Sequence, residues 1–256
     1  QGLQPLWDLY FSLLMMLTHF RSPKNTIRLE KPEKLFSMLK SISITGFSTF
    51  FIDVAMGILT MLFNRQILKY LGTDALSVYG IIINISTFVQ CCAYSIGQAT
   101  QPMISMNYGA HKGERINQIL KYALGTAAVF GLIWTIAAVL APNLFVRIFM
   151  TPTEGILAIA PNIIRSYGIS FLLLPFNIFS TYYFQALMKP TVSFLVSVAR
   201  GAIISGILIY ILPALAGSNA IWFTMPITEL AVAIVVAIKM IQYTRKLSAG
   251  VLYRQA

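Results

Sequence analysis

The chain has 256 residues, of which 57% are hydrophobic and only 11% charged, against about 25% charged in an ordinary soluble domain. Its mean hydropathy is +0.74, and eight acidic residues cannot wet the surface of a soluble globule of this size. The composition therefore excludes a soluble enzyme, a disordered chain and a disulfide scaffold, and leaves an integral membrane protein built of helices.

The net charge is +11, but the basic residues lie in short loops between apolar runs. They read as membrane orientation and not as a nucleic-acid surface. Seven apolar runs are predicted, at roughly 3–20, 41–66, 75–99, 118–141, 163–187, 190–213 and 219–242. Each reaches the ~20 apolar residues that a bilayer span needs. Pro102, Pro142, Pro161, Pro190 and Pro213 punctuate their ends. No strand alternation is sustained, and lipid admits only helices or closed barrels, so the fold class is an all-α polytopic membrane protein.

The first run sits at the very start of a chain that lacks an initiator Met and a charged leader. It reads as a piece of a longer protein. Residues 1–20 are then the last helix of an upstream unit, and 21–40 a linker along the cytoplasmic surface. Residues 41–246 form a six-helix bundle, and 247–256 a cytoplasmic tail. The stretches 21–40, 100–121 and 187–192 and the tail from 239 carry fourteen Lys and Arg; the alternate loops carry four. That bias puts the C-terminus in the cytoplasm and Gln1 outside. Seven spans with an outer N-terminus also fit a seven-helix receptor. A retinal protein, however, needs a lysine deep in its last span, and Lys239 lies near the end of this one.

The span 41–66 carries Gly46, Thr49, Asp53, Gly57, Thr60 and Asn64 at steps of three and four, on one helical face. A carboxylate at the depth of Asp53 must be paired, hydrated or protonated. Two readings stand: a proton or cation site facing a wet cavity, or a side chain bonded to a neighbouring helix. The span 75–99 repeats the pattern with Tyr79, Thr87, Gln90, Tyr94 and Gln98, followed by Gln101. The span 163–187 offers Ser166, Ser170, Asn177, Thr181 and Gln185, with Tyr182 and Tyr183 alongside. Three striped helices can jointly line an aqueous cavity that contacts a small-molecule substrate through Tyr79, Gln90, Tyr94, Gln98, Asn177, Thr181 and Gln185. Interhelical hydrogen bonding is the other use of such residues.

The span 190–213 places Ser193, Ser197, Gly201 and Ser205 four apart, a small-residue ridge for close helix approach. Arg200 beside it and Glu229 in the last span are intramembrane charges. Counted from a turn near Leu215, they lie at similar depth, which predicts a structural ion pair. Cys91 and Cys92 are adjacent and read as buried thiols rather than a disulfide. His19 and His111 are lone residues near span ends. The sequence carries no HExxH, Walker A, Gly-x-Ser-x-Gly or Cys/His cluster, so it predicts no enzyme, metal site or cofactor.

The segment Ile96-Gly-Gln-Ala-Thr-Gln-Pro-Met-Ile-Ser-Met-Asn-Tyr-Gly-Ala110, followed by Arg115, resembles the hallmark after the eighth helix of multidrug and toxic compound extrusion (MATE) transporters. Gly46 to Phe51 with Asp53 and Asn64 resembles that family's seventh helix, and Tyr183-Phe-Gln-Ala-Leu-Met-Lys-Pro190 the end of its tenth. Arg200 and Pro226-Ile-Thr-Glu229 fit the eleventh and twelfth. The resemblance implies half of a two-lobed, twelve-helix antiporter of the plasma membrane, of the bacterial inner membrane type. Its partner would be the missing N-terminal lobe. It implies export of cationic, often aromatic compounds, driven by inward H+ or Na+, with Asp53 as the coupling residue. Sodium-type members use an aspartate in helix ten, where 163–187 has no carboxylate. The related exporters and flippases of lipid-linked oligosaccharides are the alternative. Their anionic substrates call for cavity Arg or Lys, and Arg200 is the one candidate.

Overall fold

The computed structural model describes residues 4–19 and 35–248, with side chains described at 10–18, 36, 39, 54 and 56–247. Every element among the described residues is helical: α1 (Gln4–His19), α2 (Leu35–Gly109), α3 (Gly113–Leu140), α4 (Pro142–Phe149), α5 (Glu154–Gly168), α6 (Leu174–Ala186), α7 (Pro190–Val198), α8 (Ser205–Ala216) and α9 (Thr224–Ser248). Two units divide the chain, one ending at Gly46 and the other running from Phe47. The second contains five helices among the described residues that are long and apolar enough to cross a membrane: Met56–Gly109, Gly113–Leu140, Glu154–Ala186, Pro190–Ala216 and Ser218–Leu247.

The first of these holds two of the predicted runs. Gly72 breaks α2 with φ 82° and ψ −171°, a backbone conformation that only glycine adopts without strain. The chain reverses there. Phe63 and Tyr79 are sixteen residues apart, roughly 24 Å along a straight helix, yet their rings stack at 5.4 Å. The runs 41–66 and 75–99 are thus separate arms within one element.

Three other rods are composite. A 3-10 turn, Ile169–Leu172, joins α5 to α6, a π-helical segment, Ala199–Ile204, joins α7 to α8, and a tightly wound stretch, Ser218–Phe223, leads into α9. The rod that was expected to begin at 163 begins at Glu154. Pro161, read from the sequence as a terminus, lies inside α5, as membrane helices tolerate. Thr153 caps it, accepting from the Ile156 N–H at 3.4 Å. The short α4, with Pro142 in its first turn, is an element the apolar runs did not show. Gly217, φ 84°, closes α8.

Two apolar cores fill the bundle. The first contains Phe63, Ile82, Ile164, Phe171, Ile209 and Trp222; the second contains Ile104, Ile116, Phe179, Tyr183, Val196 and Val236. Each long rod passes from one core to the other once: between Ala93 and Ile96, Ala127 and Ala138, Ile178 and Phe179, Val196 and Ile209, and Met225 and Val232. Gly131 sits at this level of α3. A Cβ there would come within 2.7 Å of the Leu172 carbonyl oxygen, so the absence of a side chain lets α3 touch the 3-10 turn.

Candidate functional site

One group of buried polar residues collects where the two cores meet. Asn177 and Ser180 on α6, Ser205 on α8 and Thr228 and Glu229 on α9 are all buried at the crossing. Glu229 has no solvent exposure, and a lone carboxylate there would be strongly unfavourable. It is fully engaged. Arg200 Nε donates to Glu229 Oε1 at 2.7 Å, and Asn177 Nδ2 donates to Glu229 Oε2 at 2.6 Å. The same amide nitrogen lies 2.9 Å from the Glu229 backbone carbonyl.

Arg200 reaches this partner from the π-helical segment. There the wider turn leaves its carbonyl to an unusual donor: Ser205 Oγ, five residues on, at 2.9 Å. Such bulges re-aim a side chain within a helix. Ser193, Gly201 and Ser205 of the small-residue ridge are buried, and Met56 lies against Gly201.

Arg200 also lines a cavity of about 100 Å³ bounded by both arms of α2, by α5 and by the 3-10 turn. Thr60, Ser86, Thr87, Gln90 and Ser170 supply its polar wall. Its aromatic wall is Phe63 stacked on Tyr79, with Tyr167 edge-on to Tyr79 at 6.5 Å and to Phe171 at 6.0 Å. Ligand pockets run to roughly 300–1,000 Å³. The cavity has room for water and not for a drug-sized molecule.

The other polar surface is open. On the second arm of α2, Ser77, Asn84, Cys91 and Gln98 recur at steps of seven, with Thr87 and Tyr94 beside them, and all are exposed. Several satisfy themselves locally: Asn84 donates to the Gly80 carbonyl and Thr87 to that of Ile83, both at 2.9 Å. No Lys or Arg interrupts the arm between Lys69 and Lys112. The cysteines expected to be buried belong here: Cys91 is exposed and Cys92 half-buried, because the helical period places them on the polar side of the arm.

The residues named from sequence separate into three groups. Tyr79, Gln90 and Arg200 meet at the cavity. Asn177 does not line it; it is buried against Glu229. Tyr94, Gln98, Thr181 and Gln185 lie outside it as well. Tyr94 is edge-on to Tyr182 at 6.3 Å, with its hydroxyl 3.5 Å from Gln90 Oε1. Gln98 is exposed, and the Thr181 hydroxyl donates to the Ile178 carbonyl at 2.8 Å. Gln185 donates to Ser193 Oγ at 3.2 Å and accepts from Gln101 at 3.4 Å. Asp53 falls within α2, but its side chain lies outside the described residues. Tyr167 and Ser86 are the polar cavity residues that the sequence stripes did not include. Tyr167 lies one turn before Ser170 and Phe171, and that spacing was its signal. Among the described residues, no group of three or more His, Cys, Asp or Glu is placed to hold a metal ion.

A family model, MatE, matches residues 47–211. Among solved structures, the chain is similar to the outward-facing conformation of a multidrug resistance MATE family transporter of the MOP superfamily. That match has a TM-score of 0.81 and 18% identity, and covers 94% of this chain and 55% of that one. The inward-facing conformation of such a transporter matches with TM-score 0.74 and 19% identity, over 86% and 50% of the two chains. A MOP superfamily transporter from Pyrococcus furiosus Vc1 (DSM3638), reported with a binding pocket of reversed polarity, matches at TM-score 0.76 and 17% identity, over 91% and 54%. No curated protein matches the sequence. The chain spans about half the length of the solved structures it resembles. With the family model covering more than half of its residues, the chain belongs to the MatE family.

Proposed function

We propose that this chain is the C-terminal lobe of a secondary active antiporter that exports cationic or aromatic drug-like compounds, driven by inward H+ or Na+. The N-terminal lobe of the same protein is its partner in this reading, since alternating access moves one bundle against another around a shared site. The observation that carries the substrate class is the neutralisation of Arg200 by Glu229 at 2.7 Å. It removes the one arginine of the mid-membrane layer as an anchor for anionic substrates, and so disfavours a lipid-linked oligosaccharide. The exposed stripe from Ser77 to Gln98 offers hydroxyls, amides and the Tyr94 ring, which suit an aromatic cation. The cavity beside Arg200 is too small for such a molecule, so the substrate is taken to lie on this exposed face, between the lobes.

The test is transport by the full-length protein in proteoliposomes. A fluorescent aromatic cation and an anionic dye of similar size are compared under imposed H+ and Na+ gradients. Movement of the cation that follows one of the ion gradients is the expected result. Movement of the anion alone, or movement indifferent to both gradients, would overturn the reading.

A further inference from the structure

A second concave surface lies between α3, α6 and α9, away from the polar stripe. It is an apolar groove of about 420 Å³, walled by Leu120 and Leu124 of α3, Phe176 of α6, and Ala237, Met240 and Ile241 of α9. Thr244 and Arg245 stand at its end. The volume falls in the range of ligand clefts, roughly 300–1,000 Å³. An apolar surface of this kind meets hydrocarbon in a membrane, whereas the uncharged polar stripe on α2 needs water.

The end of the groove is different in kind. Arg245 lies in the last turn of α9, and its guanidinium makes no hydrogen bond or ion pair among the described residues. Lys246 follows it, and Lys121 is exposed on the turn of α3 that carries Leu120 and Leu124. The start of α3 and the end of α9 lie side by side, since Leu120 and Leu124 of the one and Thr244 and Arg245 of the other border the same groove. A cleft with hydrocarbon walls, closed at the headgroup level by unpaired positive charge, matches one kind of molecule in a bilayer. We propose that this groove binds an anionic phospholipid, with an acyl chain along Leu120, Phe176 and Ile241 and its phosphate on Arg245. Basic pockets between membrane helices recognise acidic headgroups by the same complementarity.

The experiment is native mass spectrometry of the full-length protein titrated with phosphatidylglycerol or with phosphatidylcholine. Phosphatidylglycerol is expected to bind about fivefold more tightly, the factor that one basic residue contributes near an acidic headgroup. Arg245→Gln abolishes the preference, Arg245→Lys retains it, and Ala237→Trp, which fills the groove, removes the lipid altogether. Inorganic phosphate does not compete, because it lacks the chain. Arg245 is exposed, so its variants should melt as the parent does. Equal retention of the two lipids by the parent overturns the proposal. So does a preference that survives both Arg245→Gln and Ala237→Trp. Absence of bound lipid, as when a second copy or another segment of the protein covers the groove, overturns it equally.

Discussion

Arg200 and Glu229 meet at 2.7 Å in the layer that separates two apolar cores, the arginine from a π-helical segment and the glutamate from the second turn of α9. The carboxylate is wholly buried and the arginine side chain 15% exposed. Removing one partner of such a pair leaves an uncompensated charge, at a cost of roughly 3–5 kcal/mol, while replacing both by apolar residues is often mild. Arg200→Ala should therefore lower thermal stability in detergent sharply, and Arg200→Met with Glu229→Leu should recover most of the loss. Melting curves of the single and double variants check this. A single variant that melts like the parent would show that the pair does not hold the last two rods together.

Asn177 completes the arrangement by donating to Glu229 Oε2 at 2.6 Å. Replacement by leucine keeps the volume and deletes the donor. One carboxylate oxygen then loses its partner inside the bundle, which costs about 1–3 kcal/mol. The measurement is again thermal unfolding, now with Asn177→Leu made also in the Arg200→Met, Glu229→Leu background. There the donor has no carboxylate to serve, and the penalty should shrink.

Gly131 lies where α3 crosses the 3-10 turn. A methyl group would sit 2.7 Å from a backbone oxygen, an atom that cannot swing aside as a side chain would. Gly131→Ala is expected to cost roughly 1–3 kcal/mol by overpacking. Gly125, with nothing within 4 Å of its Cβ position, is the control: Gly125→Ala on the same helix should be neutral or slightly stabilising. Equal melting of the two variants would contradict the close approach.

Much of this fold was legible in the sequence because lipid leaves few options. An apolar run of about 20 residues must be a helix. The all-α fold and the MatE membership were readable from the runs and the Ile96–Ala110 segment. What stayed hidden depends on partners and not on patterns. Pro161 looks like a helix end, yet α5 continues through it. The π-helical segment at Arg200 has no composition of its own. Asn177 sits on a polar stripe like its neighbours, but whether such a residue faces water or a carboxylate is decided by the helix packed against it. The cysteines misled for a related reason. Thiols are usually buried, but the period of α2 set Cys91 on the open polar side, seven residues from both Asn84 and Gln98.

Orientation rests on the charge of the loops. With Cys91 and Cys92 replaced by serine, single cysteines at Ser248 and Ser218 report the two membrane faces. The positive-inside bias predicts a cytoplasmic Ser248. An impermeant maleimide applied to intact cells should then label Ser218→Cys and spare Ser248→Cys until the cells are opened. The opposite pattern would invert the orientation.

Asp53 is the last residue to place, and spacing in the sequence is the guide to it. It shares a stripe with Gly57, Thr60 and Asn64, at steps of four, three and four. The described members of that stripe stay clear of the core: Gly57 and Asn64 are exposed, and Thr60 lines the small cavity. Leu59, Phe63 and Ile67, on the neighbouring face of the same arm, are buried. In the proposed antiporter, an acid on this stripe would take up and release the coupling cation as the lobes alternate. Asp53→Asn keeps the shape and removes the charge. In the full-length protein it should abolish ion-driven export while leaving expression and melting temperature unchanged, and Asp53→Glu should retain part of the activity. Export assays in everted vesicles, with H+ and Na+ gradients imposed separately, read this directly. The gradient whose effect disappears in Asp53→Asn names the coupling ion. A variant that still exports normally under both gradients removes Asp53 from the mechanism and leaves coupling to the other lobe.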